Sequence, residues 1–170
     1  MQNFQELCRL RRSIRKYTEE PLTQEQLDYI LRCALMSPSG KRINPWRFVV
    51  VTDRAVLRRM AGCRTYGSQM FDTAAAGIVV ALDTSLTDTW QCDGAIAAQN
   101  MLLAAADLGL GACWCQVYGR EGAEQLIREA AAVPEGLTIL CVVSLGHPDE
   151  QRRSYDFDKL QYDKVIQSNI

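Results

Sequence analysis

Histidine is nearly absent: His147 is the single one in 170 residues. One imidazole cannot build a multi-histidine metal centre, and a histidine-centred triad would have to rest on that residue alone. Its place between an apolar stretch and Pro148 predicts a turn residue instead. Long hydrophobic runs are also missing. The longest, Gly77 to Leu82 and Leu137 to Leu145, fall far below the roughly 20 residues that a membrane-spanning helix needs. A soluble chain with no membrane contact is expected.

Neither sign of charge dominates, with 19 Lys and Arg against 20 Asp and Glu. That balance excludes a global attraction to nucleic acid or to an acidic membrane, so any basic cluster needs a local explanation. Glycine-built phosphate cradles are lacking too: no G-x-G-x-x-G lies between a strand and a helix, and there is no G-x-x-x-x-G-K-[ST]. A nucleotide bound here would have to be held by arginines.

What is plentiful is cysteine, seven in all. The number is odd, no signal peptide is evident, and Cys113 and Cys115 are too close for an ordinary disulfide framework, which predicts reduced thiols and a cytoplasmic setting. The Cys-x-Cys pair lacks the second pair that a zinc site requires, so no metal is expected and both thiols read as buried structural residues. The length suits one domain, residues 1–170, and no repeat, low-complexity tract or linker divides it.

Periodicity predicts interleaved helices and strands. Phe4, Leu7, Cys8 and Leu10 suggest a short amphipathic helix leading into an extended "SIRKYTEE". A second helix opens with the capping box Thr23–Gln26, turns Leu27, Ile30, Leu31, Ala34 and Leu35 to one face, and stops before Pro38. Arg47 to Thr52 reads as a buried strand, Asp53 as the cap of a third helix, and Gly77 to Leu82 as the next strand. The helix of Asp93 to Leu108 is apolar nearly all round and alanine-rich, so it must be covered on every side, by the fold or by a second subunit. A strand (Gly111 to Tyr118), a helix (about Glu121 to Ala132) and a strand (Leu137 to Gly146) follow, while the last two dozen residues are polar and mixed.

Candidate chemistry concentrates in "LRRSIRKY", Leu10 to Tyr17. Arg11, Arg12, Ser13 and Arg15 offer the guanidinium forks and hydroxyl that hold a phosphate dianion well. A solvated basic helix end would look the same, because cations complement the helix dipole. Spacing alone leaves both readings open.

Taken in order, "RRSIRKY", "SPSGKRINPWRF", "AIAAQNMLLAAADLGLGACW" and "VVSLGHP" resemble the FMN-dependent nitroreductase family over most of the chain. The resemblance implies a three-layer α/β (α+β) fold, with a central mixed or antiparallel sheet flanked by helices and the long apolar helix at a dimer interface. It implies that Arg11, Ser13 and Arg15 grip the FMN phosphate, with Arg12 beside the flavin and Lys159 completing the clamp. Pro38, Ser39, Gly40 and Asn44 would approach the flavin of the partner subunit, Gly40 standing where relatives carry serine. Trp114, Cys115 and Gln116 would lie against the flavin ring.

The activity implied is NAD(P)H-driven, ping-pong reduction of a small-molecule acceptor, a nitroaromatic or quinone, by a homodimer using NADH or NADPH, with no catalytic side chain beyond the flavin itself. Only about eight residues separate "GIVVALD" from the long helix, where larger relatives carry lids, so an open pocket is expected. Two alternatives remain at this point: a flavin-binding protein that stores, senses or consumes flavin without nicotinamide turnover, and an interaction domain that docks an acidic partner through its basic segment.

Overall fold

The computed structural model describes residues 3–167. A four-stranded sheet forms its middle layer, made of β1 (Trp46–Val51), β2 (Ala76–Leu82), β3 (Gly111–Gln116) and β4 (Thr138–Gly146) in the order β1-β2-β4-β3, with every ladder antiparallel. One parallel bridge, Ser13 to Ala112, adds the basic segment to the outer edge of β3. The helices are α1 (Phe4–Leu10), α2 (Gln24–Leu35), α3 (Arg54–Ala61), α4 (Trp90–Asp107) and α5 (Ala123–Ala131). Strands β2 and β4 are buried almost end to end because helices cover both faces. α2 and α4 pack over Ile78, Val80, Leu82 and Val143, while α3 and α5 pack over Val79, Ala81 and Val142. The expected three layers are present.

Several elements form for local reasons. Thr23 Oγ1 accepts from the Gln26 amide and the Gln26 side chain accepts from the Thr23 amide, closing the capping box of α2; such a cap is worth about 1 kcal/mol. Asp53 accepts from the amides of Ala55 and Val56 at the start of α3. In α4, small residues allow a close approach to the sheet: a Cβ on Gly94 would lie 2.7 Å from Leu140 Cδ2 and 2.9 Å from Leu82 Cδ1.

Other expectations need correction. The strand at β1 is only partly buried: Trp46 and Val51 are in the core, but Arg47 and Val50 are exposed on this strand, which pairs on one side only. Leu35, placed by periodicity on the inner face of α2, is exposed at the last residue of the helix. Helix α1 buries none of its residues, and Phe4 is 70% exposed. The final segment contains two short 3-10 turns, Phe157–Lys159 and Tyr162–Lys164, with no buried residue in either.

Candidate functional site: two half-sites at opposite ends of one helix

Two glycines seat the basic segment. Gly111 and Gly146 face each other across the β3–β4 ladder. A Cβ on Gly111 would come within 2.7 Å of Ile14 Cγ2, and one on Gly146 within 2.8 Å of the Tyr17 ring. The missing side chains let Ile14 and Tyr17 sink into the sheet edge, with the Ile14 amide donating to the Ala112 carbonyl at 3.0 Å. Tyr17 Oη donates to the Ile14 carbonyl at 2.6 Å and lies 2.7 Å from Ser144 Oγ, and burial pushes its pKa up. The segment that carries the arginines is thus held rigidly.

Arg11, Ser13 and Arg15 occupy alternate positions of the segment that is bridged to β3 at Ala112, next to the buried Cys113. Burial raises the Cys113 pKa, and Arg15, a hydrogen bond with Ser13, and Arg11 each oppose that rise. None of Arg11, Arg12 and Arg15 has a carboxylate within ion-pair distance among the described residues. Guanidinium groups without acidic partners, beside a hydroxyl on a rigid edge strand, are a donor set that fits a phosphate. Glu150 accepts from the Arg15 main-chain amide at 2.6 Å and pairs with Arg152, leaving the Arg15 guanidinium uncommitted.

Arg12 takes a different course. Its Nη1 donates to the Arg153 carbonyl, and its guanidinium carbon sits 4.7 Å from the centre of the Tyr155 ring. Arg11 Nη2 donates to Tyr155 Oη at 3.2 Å. The polar tail therefore folds back over the arginines, and a cleft of about 710 Å³ lined by Arg12, Arg153, Tyr155 and Lys159 results. Lys159 is brought to this cleft with Arg12, but its Nζ lies 3.5 Å from Asp156. Arg153 and Arg152 are the alternatives to Lys159 that the resemblance leaves for the basic residue of the tail, whereas Tyr155 had no signal in the sequence, because nothing in a mixed polar tail says which residue will lie on the arginines.

The loop after α2 lies elsewhere. Ser39 Oγ donates to Asn44 Oδ1 at 2.7 Å and accepts from the Asn44 amide, while the Gly40 amide donates to the Asp93 carboxylate at 3.0 Å in the first turn of α4. Pro38 is exposed at the entry to this loop. Lys41, Arg42 and Asn44 all adopt positive φ, between 52° and 59°, a conformation that non-glycine residues enter only at a cost. A Cβ on Gly40 would lie 2.7 Å from Thr89 Oγ1, so a serine there would require the Thr89 side chain to shift. Beside it the short turn from Asp83 to Thr89 leaves an open hollow of about 440 Å³ lined by Thr84, Ser85, Thr87 and Thr89.

On β3, Trp114 Nε1 donates to Gln116 Oε1 at 2.9 Å, and Gln116 Nε2 donates to the Tyr118 carbonyl. Both side chains lie on the α4 side of the sheet. Cys115 points the other way and is completely buried against the α3–α5 layer. It can offer a cofactor on the α4 side only its main chain. β3 is an edge strand of the sheet, and beyond the Ala112 carbonyl, which accepts from the Ile14 amide, no further strand pairs with its outer side.

The two groups of residues sit at opposite ends of α4. Arg11, Arg12 and Ile14 border Leu102 and Ala106, whereas Gly40 is bonded to Asp93; at 1.5 Å per residue these points are about 20 Å apart. Along α4 runs an uncovered stripe, Cys92, Ile96, Gln99, Leu103 and Ala106, exposed or half-buried at every position. His147, at the end of β4, is a partly buried turn residue with Nε2 3.6 Å from the Glu20 carboxylate.

The sequence matches the model of the nitroreductase family over residues 9–64 and 62–147. The chain belongs to the nitroreductase family. A relative from Archaeoglobus fulgidus, described as an NADH dehydrogenase/NAD(P)H nitroreductase, is 40% identical over 87% of each chain. The NADPH-flavin oxidoreductase of Vibrio harveyi is 32% identical, covering 88% of this chain and 68% of that one. In structure, the FMN-dependent nitroreductase of Clostridium difficile superposes with a TM-score of 0.92 at 38% identity, covering 96% of this chain and 98% of the other. Among the described residues of this nitroreductase, no helix is long and apolar enough to cross a membrane.

Proposed function

We propose that this nitroreductase is an FMN-dependent, NAD(P)H-driven oxidoreductase acting on a small conjugated acceptor, and that its working unit is a homodimer with each flavin at the subunit interface. The observation that carries the reading is the placement of the two half-sites at opposite ends of α4, joined by an uncovered stripe.

The stripe has the symmetry that a two-fold dimer requires. Its members are spaced 4, 3, 4 and 3 residues apart, the seam of helices packing side by side. Two antiparallel copies centred on Gln99 would oppose Cys92 to Ala106 and Ile96 to Leu103, the reciprocal contact of an isologous interface. The same operation would carry the 38–44 loop of one chain to the Arg11–Arg15 segment of the other. Each site would then be complete only in the dimer, which also answers how the apolar face of α4 is covered.

In this arrangement Arg11, Ser13 and Arg15 hold the FMN phosphate by charge-assisted bonds, with Lys159 closing on it once released from Asp156. The edge of β3 and the Trp114–Gln116 pair bound one side of the flavin, and Pro38, Ser39, Gly40 and Asn44 of the second copy bound the other. FMN held there would supply the hydride-transfer chemistry between the nicotinamide and the acceptor. Arg12 contributes positive charge where negative charge develops on reduction, a term that a preorganised site makes large. The hollow beside Thr84–Thr89 is not roofed by an inserted lid, which suits acceptors of varied shape. The free thiols suit a reducing, cytoplasmic setting, and residues 1–170 act as one FMN-binding domain.

Anaerobic titration tests the reading. The purified protein is expected to be yellow, or to become so with added FMN, and to bleach with NADH or NADPH. A colourless protein whose melting temperature ignores FMN overturns it.

A further inference from the structure

A carboxylate stands against the basic segment. Glu150, just beyond the end of β4, has a side chain only 13% exposed. Its Oε1 accepts from the Arg15 main-chain amide at 2.6 Å, and its Oε2 lies 2.7 Å from Arg152 Nη2. The Arg15 amide holds this carboxyl below the usual carboxylate range, with Arg152 adding to the effect. By charge alone such a group repels any anion that the arginines hold. Its bond to the main chain gives it a different role.

The peptide unit between Ile14 and Arg15 is gripped at both of its polar atoms. Tyr17 Oη donates to the carbonyl at 2.6 Å, and Glu150 accepts from the amide. Among the described residues neither atom has a main-chain partner. Two side chains therefore set the plane of this peptide, and with it the direction in which Arg15 leaves the backbone. Tyr17 is itself immobile: it is 3% exposed, its ring lies against Gly146, and its hydroxyl is 2.7 Å from the buried Ser144 Oγ. On either side of the gripped peptide, Ile14 is buried and Arg15 is exposed.

We infer that Glu150 is a positioning residue of the anion site: with Tyr17 it clamps the Ile14–Arg15 peptide so that the Arg15 guanidinium meets the flavin phosphate. The inference rests on the proposed phosphate site. Glu150 thus favours anion binding in spite of its own charge. Two features allow this. The charge of Glu150 is answered by Arg152, and the oxygen facing the segment is occupied by a main-chain N–H, so the Arg15 guanidinium keeps no carboxylate partner among the described residues. A preorganised guanidinium loses less freedom when it binds, which is the gain that the clamp supplies.

Titration of the flavin-free, full-length protein with FMN and with riboflavin, which lacks the phosphate, tests the clamp. Wild-type protein should prefer FMN. Glu150→Ala should weaken FMN binding on the order of ten-fold and leave riboflavin affinity and melting temperature near those of the wild type. Glu150→Gln keeps an oxygen for the Arg15 amide and loses the charge, so it should bind FMN at least as tightly as wild type. Tyr17→Phe keeps the ring against Gly146 and removes only the hydroxyl, and it should lower the preference for FMN as Glu150→Ala does.

Charge repulsion acting alone would make Glu150→Ala bind FMN more tightly than wild type, and that result overturns the inference. So does a Glu150→Gln protein as weak as Glu150→Ala, or variants that lose FMN and riboflavin alike, the mark of a general loss of structure. The wild-type protein reads the phosphate site separately. Equal wild-type affinity for FMN and riboflavin would remove that site and the clamp with it, whereas a wild-type preference that Glu150→Ala and Tyr17→Phe both retain would remove the clamp alone.

Discussion

The Gly40 amide donates to the Asp93 carboxylate at 3.0 Å, and this bond fixes the 38–44 loop to the first turn of α4. Thr89 Oγ1 donates to the other oxygen of the same buried carboxylate at 3.3 Å. The helix N-terminus favours the negative charge there. Replacing Asp93 by Ala leaves a part-buried amide unpaired, at a cost of about 1–3 kcal/mol. FMN affinity should fall with the loss of loop order while the dimer persists; unchanged affinity in a folded Asp93→Ala protein would show that the loop does not touch the flavin.

Ile96→Arg should dissociate the dimer. The symmetry of the stripe would bury two unpaired guanidinium groups against Leu103, at about 3–5 kcal/mol for each uncompensated charge. Analytical ultracentrifugation should find a monomer that has lost FMN, whereas Ile96→Leu should stay dimeric and yellow. A dimeric Ile96→Arg protein would place the interface elsewhere.

Arg11→Ala and Arg15→Ala each remove a charge-assisted contact worth about 1.5–3 kcal/mol, which corresponds to roughly 10- to 150-fold weaker FMN binding. Lys16, exposed on the same segment, serves as the comparison, and Lys16→Ala should change affinity little. Fluorescence titration with FMN measures all three. Equal, small effects at all three positions would mean that the segment acts only through general charge.

Gly94→Ala should destabilise the fold by about 1–3 kcal/mol through overpacking, since the added methyl would lie 2.7 Å from Leu140 Cδ2. Leu140→Val in the same chain should recover part of the loss. Urea unfolding checks the pair, and a neutral Gly94→Ala would show that α4 can move away from the sheet.

Alkylation of Cys63 should rise with pH through about 7, because a lowered pKa makes the thiolate the dominant form above that value. Cys115→Ala removes the largest cause of the lowering and should move the midpoint upward. A midpoint that does not move would mean that Cys115 does not donate to Cys63. Mass-spectrometric rates of iodoacetamide labelling at residue 63 give both curves.

Local chemistry determined much of this protein. The Thr23–Gln26 box, the Asp53 cap, the runs of β2 and β4 and the alanine-rich α4 each follow from propensity and period, because the interactions responsible lie within a few residues. The order of the motifs carried the family as well, including the arginines, the 38–44 loop and the β3 segment. Tertiary structure decided what depends on distant partners. The exposure of β1 follows from its place at the sheet edge, and the reversal of Cys115 away from Trp114 and Gln116 from strand alternation against two different layers. The seating of Ile14 and Tyr17 over Gly111 and Gly146 and the cover of Tyr155 on Arg11 and Arg12 both join segments that no sequence period relates. The separation of the two residue groups along α4 belongs to the same class: sequence names the residues of each group, and only the packed helix sets them about 20 Å apart.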